Sequence, residues 1–441
     1  MSAATALPVL GHSPWFYADT CGFLLGLARE QGDIASFRLG ADEAFLLSHP
    51  DHVRQVLVDD AAAFRKGNLM RRARRLLGDG LLTSEGELHR EQRRRIQPAF
   101  CRAQLAKYGE TVPPFAARMA DRWTDGTALD VGDAMDELAL AIVVRTLLGA
   151  DIEGEAGEIA ADLRVLARWL PMPVVPHGRW LERAGLPPFR QAGRAADRID
   201  AAVRRCIAQA SPSHPRDLLS VLLQRDADGI AMPSELARDE AVTLFLAGHD
   251  TTAAALTWTW YLLARHPEVG RRLRRELAEV LGHRDPTPGD CAALTYTGMV
   301  LDEALRLYPP VGRIGRRPLA DYRIGGRVIP ACAAVFLSPF VTGRDPRWWP
   351  EPERFEPDRW TAESVGRRPR YAAFPFGAGP RSCVGGHMAR MIGVLAIATI
   401  ARRWRLRPLP GPLPVPRSVL TVKPRWPLRL LLERPRDGRP V

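Results

Sequence analysis

Residues 376–385 read Phe-Gly-Ala-Gly-Pro-Arg-Ser-Cys-Val-Gly, and a helix-compatible run follows at once, from His387 towards Trp404. The cysteine thus stands after a glycine-rich turn and just before a helix. There it faces free backbone N–H groups and the positive end of the helix dipole, an environment that lowers a thiol pKa. Gly377, Gly379 and Gly385 permit left-handed backbone and close approach of a flat, bulky partner. Arg381, two residues before the sulfur, offers a planar fork of donors to a carboxylate. A lone cysteine beside a helix is usually an ordinary buried thiol. This setting suits instead a metal-bound thiolate whose ligand has an anionic periphery.

The ten residues meet the pattern F-x-x-G-x-R-x-C-x-G at every fixed position, and this resembles the haem-binding loop of the cytochrome P450 family. The resemblance implies haem b as cofactor, with Cys383 as the iron's axial ligand and Phe376, Gly377, Arg381 and Gly385 around it. A thiolate in that place pushes electron density onto the iron and favours O–O cleavage.

Upstream, Ala247-Gly248-His249-Asp250-Thr251-Thr252 lies in a helix-compatible stretch from about 234 to 266, with Ser234 as N-cap and Pro267 as stop. Gly, Asp and Thr are poor mid-helix residues, which predicts a local distortion with a purpose. The segment resembles the family's oxygen-activation helix. By that resemblance Asp250 and Thr251 are catalytic and deliver protons, while Ala247 and Gly248 leave room beside the haem. Glu303 and Arg306 share one face of a helix expected over 292–308. Together with Arg354, in Pro352-Glu353-Arg354-Phe355, they resemble the family's buried Glu–Arg–Arg network, a structural device with no catalytic role. His89 and Arg93, four residues apart, resemble propionate-binding positions. Arg316 resembles a third, with Arg313 and Arg317 as alternatives in the same run.

The resemblance covers nearly all 441 residues and implies a mainly α fold with a small β-rich lobe, one cytochrome P450 domain over 1–441. Within it we expect a β-containing region at about 30–65, a helical body at about 87–405 and a C-terminal hairpin region at about 406–441. Residues 33–39 and 44–48 read as strands around a turn at 40–43, and Val419-Leu420-Thr421-Val422 as a β-like run. The N-terminus has no apolar run near the ~20 residues that span a bilayer, and no signal-peptide pattern. Six scattered cysteines show no CxxC spacing. A cytoplasmic enzyme without a transmembrane anchor, of the bacterial type, is expected.

The net charge of +12 comes from arginines spread along the chain without a recognition motif, so nucleic acid is excluded as a partner. Basic side chains near Cys383 would instead dock an acidic electron donor. No flavin or iron–sulfur motif is visible, so the resemblance implies a separate ferredoxin and ferredoxin reductase. Arg71-Arg72-Ala73-Arg74-Arg75 falls in an expected loop over the haem entrance, and the Pro-rich residues 170–176 resemble the family's lid. Leu246, Ala247, Val311, Ile314 and parts of 69–82 are the expected pocket, which suits a hydrophobic small molecule, terpenoid or fatty-acid-like, oxidised with O2. Three other readings share these residues: a peroxide-driven peroxygenase, a coupling or ring-forming enzyme, and a non-catalytic haem sensor.

Overall fold

Residues 34–37 and 44–47 are rich in the branched and aromatic side chains that fit a pleated surface, and Gly40, at φ +64°, turns the chain between them. They form strands Ile34–Leu39 and Asp42–Leu47, antiparallel, with Ile34 opposite Leu47. The computed structural model describes residues 6–149, 162, 165, 187–210, 217–225 and 229–435. Strand Asp42–Leu47 runs parallel to Ala334–Leu337, which pairs antiparallel with Ile314–Pro318, and Phe64–Lys66 closes the sheet. The last pairing sets Lys66 opposite Arg316. Two cations thereby meet at one sheet edge.

The helical body surrounds the 32-residue helix Ser234–Arg265. Its residues are apolar nearly all round, as a helix buried on every side must be. It packs on helices Val131–Val143, Thr295–Leu307 and Gly386–Arg403. Ser234 is the first helical residue and not the expected cap, a place taken by Pro233. Helix Thr295–Leu307 begins later than expected, because Pro288–Ala292 forms a separate 3-10 turn held by a Thr287/Asp290 capping box.

Two further expectations change. Residues 71–75 lie in a helix, Asn68–Leu77, and not in a loop; Arg71 and Arg74 are exposed, and Arg74 pairs with Asp79. Residues 419–421 are the turn of a hairpin whose strands are Pro416–Ser418 and Val422–Pro424, with Ser418 opposite Val422. The Trp258 indole N–H donates to the Val422 carbonyl at 2.8 Å and ties this hairpin to the long helix. The lid-like residues 170–176 lie outside the described residues. No helix among the described residues is long and apolar enough to cross a membrane.

The buried ionic network forms around Glu303 and Arg306, both almost without exposure. Arg306 Nε and Nη2 donate to the two Glu303 oxygens at 2.8 and 2.7 Å, and Nη1 donates to the carbonyls of Gly343 and Pro352. Arg354 joins only through its carbonyl, which accepts from Arg306 Nη2 at 3.0 Å; its side chain is 58% exposed and pairs with Glu351. The second cation is Arg359, 10% exposed and 3.4 Å from Glu303, beside the Trp360 indole N–H at 2.9 Å from the same carboxylate. A buried charge left without its partner costs about 3–5 kcal/mol, whereas exposed pairs are worth about 0–1 kcal/mol. Glu303→Ala should therefore lose about 3–5 kcal/mol of stability and Arg354→Ala less than about 1 kcal/mol. Denaturant unfolding of the two variants side by side checks this; equal losses would return Arg354 to the network.

Candidate active site

The cysteine loop is shaped by glycines the chain could not replace. Gly377 and Gly379 have φ of +70° and +66°, and a Cβ on Gly379 would lie 1.9 Å from the Leu57 carbonyl oxygen. The Cys383 N–H donates to the Phe376 carbonyl at 2.8 Å and closes the turn. Cys383 is exposed, but to an internal cavity of about 890 Å³ that it lines with Phe376, Gly377 and Arg381. Gly385 lies off the cavity wall, next to Phe100, and contributes its backbone N–H to the sulfur. Burial pushes the Cys383 thiol up, and neither that N–H nor the Arg93 charge outweighs it. The direction is thus opposite to the lowered thiol pKa expected from sequence, because burial outweighs the Gly385 N–H and the Arg93 charge. A cation bound at the sulfur would supply what the loop lacks.

Beside the loop stands a cluster of cations. Arg93 donates to the Ser382 carbonyl, and Arg381 pairs with Glu85. Lys66 Nζ donates to the carbonyls of Leu81 and Ser84 at 3.0 and 2.7 Å. Burial, then the Arg381 and Arg316 charges, push Lys66 down to about 7 despite Glu85 and Glu240. Burial followed by Lys66, Arg381, Arg93 and Arg316 holds His89 down to about 4. Arg316 is pushed to about 10, again by burial and Arg381. Neighbouring cations thus add to burial in depressing Lys66, His89 and Arg316, and all five residues line the cavity. Such a cluster calls for anions, and the two carboxylates on a haem edge fit it. Of the three arginines left open by sequence, Arg316 belongs to this cluster. Arg317 pairs with Asp42 at 2.8 Å, and Arg313 reaches Ser418 at 3.1 Å.

Across the cavity, the long helix runs through residues 247–252 without a break, so the expected distortion is absent. Thr251 Oγ1 donates to the Ala247 carbonyl at 2.6 Å, the back-bonding open to a mid-helix threonine. Ala247, Asp250 and Thr251 line the cavity. Gly248 does not; a Cβ there would meet Val143 at 3.3 Å, so this glycine serves helix packing. Asp250 is buried, 2.8 Å from Lys423 Nζ and accepting from Thr421 Oγ1 at 2.6 Å. Burial alone would raise its carboxyl; the charge and hydrogen bond of Lys423, with Thr421, hold it below the usual range. Lys423 also pairs with Asp136 at 2.8 Å, and His249 Nε2 lies 3.1 Å from the Asp136 carbonyl.

Sequence reading missed Lys66 and Lys423. Their rarity was the available signal: lysine occurs only at 66, 107 and 423 in a chain with abundant arginine. Leu246, Val311 and Ile314 line the cavity as expected, with Leu69, Met70, Leu81 and Leu82. The lining is mostly apolar, with polar groups gathered at a few points, as small-molecule sites are.

A family model described as "Cytochrome P450" matches residues 1–430. Cyclooctat-9-en-7-ol 5-monooxygenase of Streptomyces melanosporofaciens is 37% identical over 93% of this chain and 90% of that protein. Cyclooctatin synthase of the same organism is 36% identical over 98% and 95%. Pentalenene oxygenase of Streptomyces avermitilis is 33% identical over 99% and 98%. Among solved structures, one described as retinoic acid bound cyanobacterial CYP120A1 superposes with a TM-score of 0.86 at 25% identity, covering 98% of each chain. A cysteine turned into a cavity between a cationic cluster and an Asp-Thr helix therefore has its explanation in descent: the chain belongs to the cytochrome P450 family and is a monooxygenase of that family.

Proposed function

We propose that this P450 uses haem b and electrons from a separate ferredoxin and its reductase to insert one atom of O2 into a C–H bond of a terpenoid-like hydrophobic molecule. The observation that carries the reading is that one cavity is lined both by Cys383 with its cations and by Asp250-Thr251. The names of the Streptomyces relatives denote oxidation of terpenoid skeletons and support the substrate class. Arg94, Arg102 and His387 are exposed around the segment whose Phe100 lies against Gly385. That basic surface near the cysteine suits an acidic electron-transfer protein.

Haem bound at Cys383 supplies oxygen activation and C–H oxidation. The chain's own residues do the rest. Cys383 Sγ accepts from the Gly385 N–H, which fixes the sulfur's orientation. Arg316, Arg381, Arg93 and His89 would hold the two propionates, and Lys66 adds a further positive group to the same cavity lining. The apolar wall of Leu246, Val311 and Ile314 excludes water and holds the substrate near the reacting centre. Thr251 Oγ1 presents a hydroxyl to the cavity. Asp250 is kept ionised by Lys423 and can take a proton and pass it on, and Lys423, Asp136 and His249 extend the polar chain away from the cavity.

Reconstitution with a surrogate ferredoxin system tests the whole reading. A thiolate-type ferrous carbonyl spectrum and product formation that needs both O2 and reductant are expected; an imidazole-type spectrum would reject it. Turnover driven by hydrogen peroxide alone at the same rate would favour a peroxygenase.

Thr251→Ala should retain haem while product per reducing equivalent falls at least about tenfold and hydrogen peroxide rises to match. Unchanged coupling removes Thr251 from proton delivery. For Lys423→Met, loss of the cation raises the Asp250 pKa, since Lys423 is what holds that carboxyl down. The acid limb of the pH–rate profile should then move to higher pH, and a profile that stays in place would detach Lys423 from the reaction.

A further inference from the structure

A second arm of the cavity is walled by Phe16, Thr20, Arg313, Arg417 and Ser418. It is separate from the cationic cluster: Arg316 has Arg381 and Glu85 as neighbours, whereas Arg313 has Phe16, Cys21 and Ser418. Arg313 Nη1 donates to Ser418 Oγ at 3.1 Å, and its guanidinium carbon stands 5.3 Å from the Phe16 ring centroid. Burial pushes the guanidinium below the ordinary arginine range, and the surface it retains lies on the cavity wall. The ionisable groups that act on its charge are a thiol, Cys21, and a phenol, Tyr17. Burial pushes that thiol up to about 11, so it carries no negative charge at neutral pH.

Among the described residues no carboxylate pairs with Arg313. Other buried arginines of the framework have one: Arg306 has Glu303, and Arg344 has Glu353 at 3.1 Å. A guanidinium carries five donors in a rigid fork, and Ser418 accepts from one of them. A dehydrated cation with unused donors, turned to a cavity, is the arrangement seen at Arg316, where an anionic ligand edge is expected. The same reasoning applied to the other arm requires a second anion. Gly312 shows how closely this corner is built, since a Cβ there would lie 2.8 Å from Val422 Cγ2 and 3.2 Å from Cys21 Sγ.

We propose that Arg313 anchors a carboxylate on the substrate, so that the enzyme takes hydrophobic acids whose apolar body extends from Arg313 towards Cys383. The inference rests on the haem-thiolate reading and narrows its substrate class. A carboxylate matches the guanidinium fork with two parallel hydrogen bonds, strengthened where water is excluded. The exposed Arg417 on the same arm adds positive potential that draws an anion inward. Val311 and Leu420 line the cavity as apolar surface for the body of the molecule. Holding the acid at Arg313 makes the oxidised carbon one remote from the carboxyl group.

The test compares farnesoic acid with farnesol, one skeleton with two head groups, by spin-state titration of haem-loaded wild type, Arg313→Leu and Arg313→Lys. The acid should bind wild type about tenfold or more tightly than the alcohol, the scale of a hydrogen bond to a charged group. That preference should vanish in Arg313→Leu and survive in part in Arg313→Lys. Equal binding of acid and alcohol, a preference that persists in Arg313→Leu, or no shift with either ligand in a wild type of thiolate-type carbonyl spectrum overturns the proposal. Melting without ligand separates recognition from architecture. Arg313→Leu keeps or raises Tm if the cation is waiting for a ligand, and a lowered Tm, marking a structural tie to Phe16 and Ser418, overturns the assignment. An imidazole-type carbonyl spectrum in wild type would instead be a failure of the haem-thiolate reading.

Discussion

Charge taken out of water organises this molecule, and it does so in two opposite ways. Around Glu303 the carboxylate is saturated inside the protein: two nitrogens of Arg306 and the Trp360 indole donate to it, Arg359 stands beside it as a second cation, and carbonyls take the other donors of Arg306. Nothing is left for a ligand, so the network can only hold structure. At the cavity the accounts stay open. Lys66, His89, Arg93, Arg316 and Arg381 crowd together with Glu85 as the carboxylate paired with Arg381, and burial, then the neighbouring cations, hold His89 and Lys66 far below their ordinary values. The same side-chain chemistry is framework where it is saturated and binding site where it is not.

The sulfur obeys the same logic. A helix end and one backbone N–H favour a thiolate, yet burial at the cavity wall disfavours it more. An unassisted Cys383 is therefore a poor anion, and an iron bound there would be what stabilises its thiolate. Ligand and metal are each incomplete alone, which suits a site meant to hold its cofactor permanently.

Much of this was legible in the sequence because it depends on local chain chemistry. Left-handed glycines, a cysteine before a helix and a Pro-bounded apolar helix are near-neighbour features, and the loop, the long helix and the first hairpin all formed where expected. What was not legible depends on residues distant in sequence. Arg354 and Arg359 both follow a proline-rich bend, and only packing decides that the first faces solvent and the second faces Glu303. Gly248 looked like room for a ligand, but the helix phase turns it to Val143. Residues 419–421 had strand propensity and became a turn, because Ser418 and Val422 pair across them. Lys66 and Lys423 become functional candidates only once the sheet edge and the hairpin bring them to Arg316 and Asp250.

That C-terminal hairpin carries more of the site than its length suggests. Within six residues it supplies Ser418 to Arg313, Thr421 and Lys423 to Asp250, and Leu420 to the cavity wall. It is anchored by the indole bond from Trp258 on the long helix to the Val422 carbonyl, with the Trp258 ring stacked on Tyr308 at 3.8 Å, and by the Val422 N–H, which donates to the Pro310 carbonyl at 2.8 Å. The arm of the cavity proposed to receive the far end of a substrate and the carboxylate proposed to handle protons thus share one short support. A shift of the hairpin changes both at once, since neither Ser418 nor Lys423 can move without the backbone they share. Kinetic effects of substitutions between 416 and 424 must therefore be read as joint changes in substrate fit and proton supply. Arg313 and Asp250 meet the hairpin from outside it, the first at Ser418 and the second at Thr421 and Lys423, so varying each of them alone tells the two proposed roles apart.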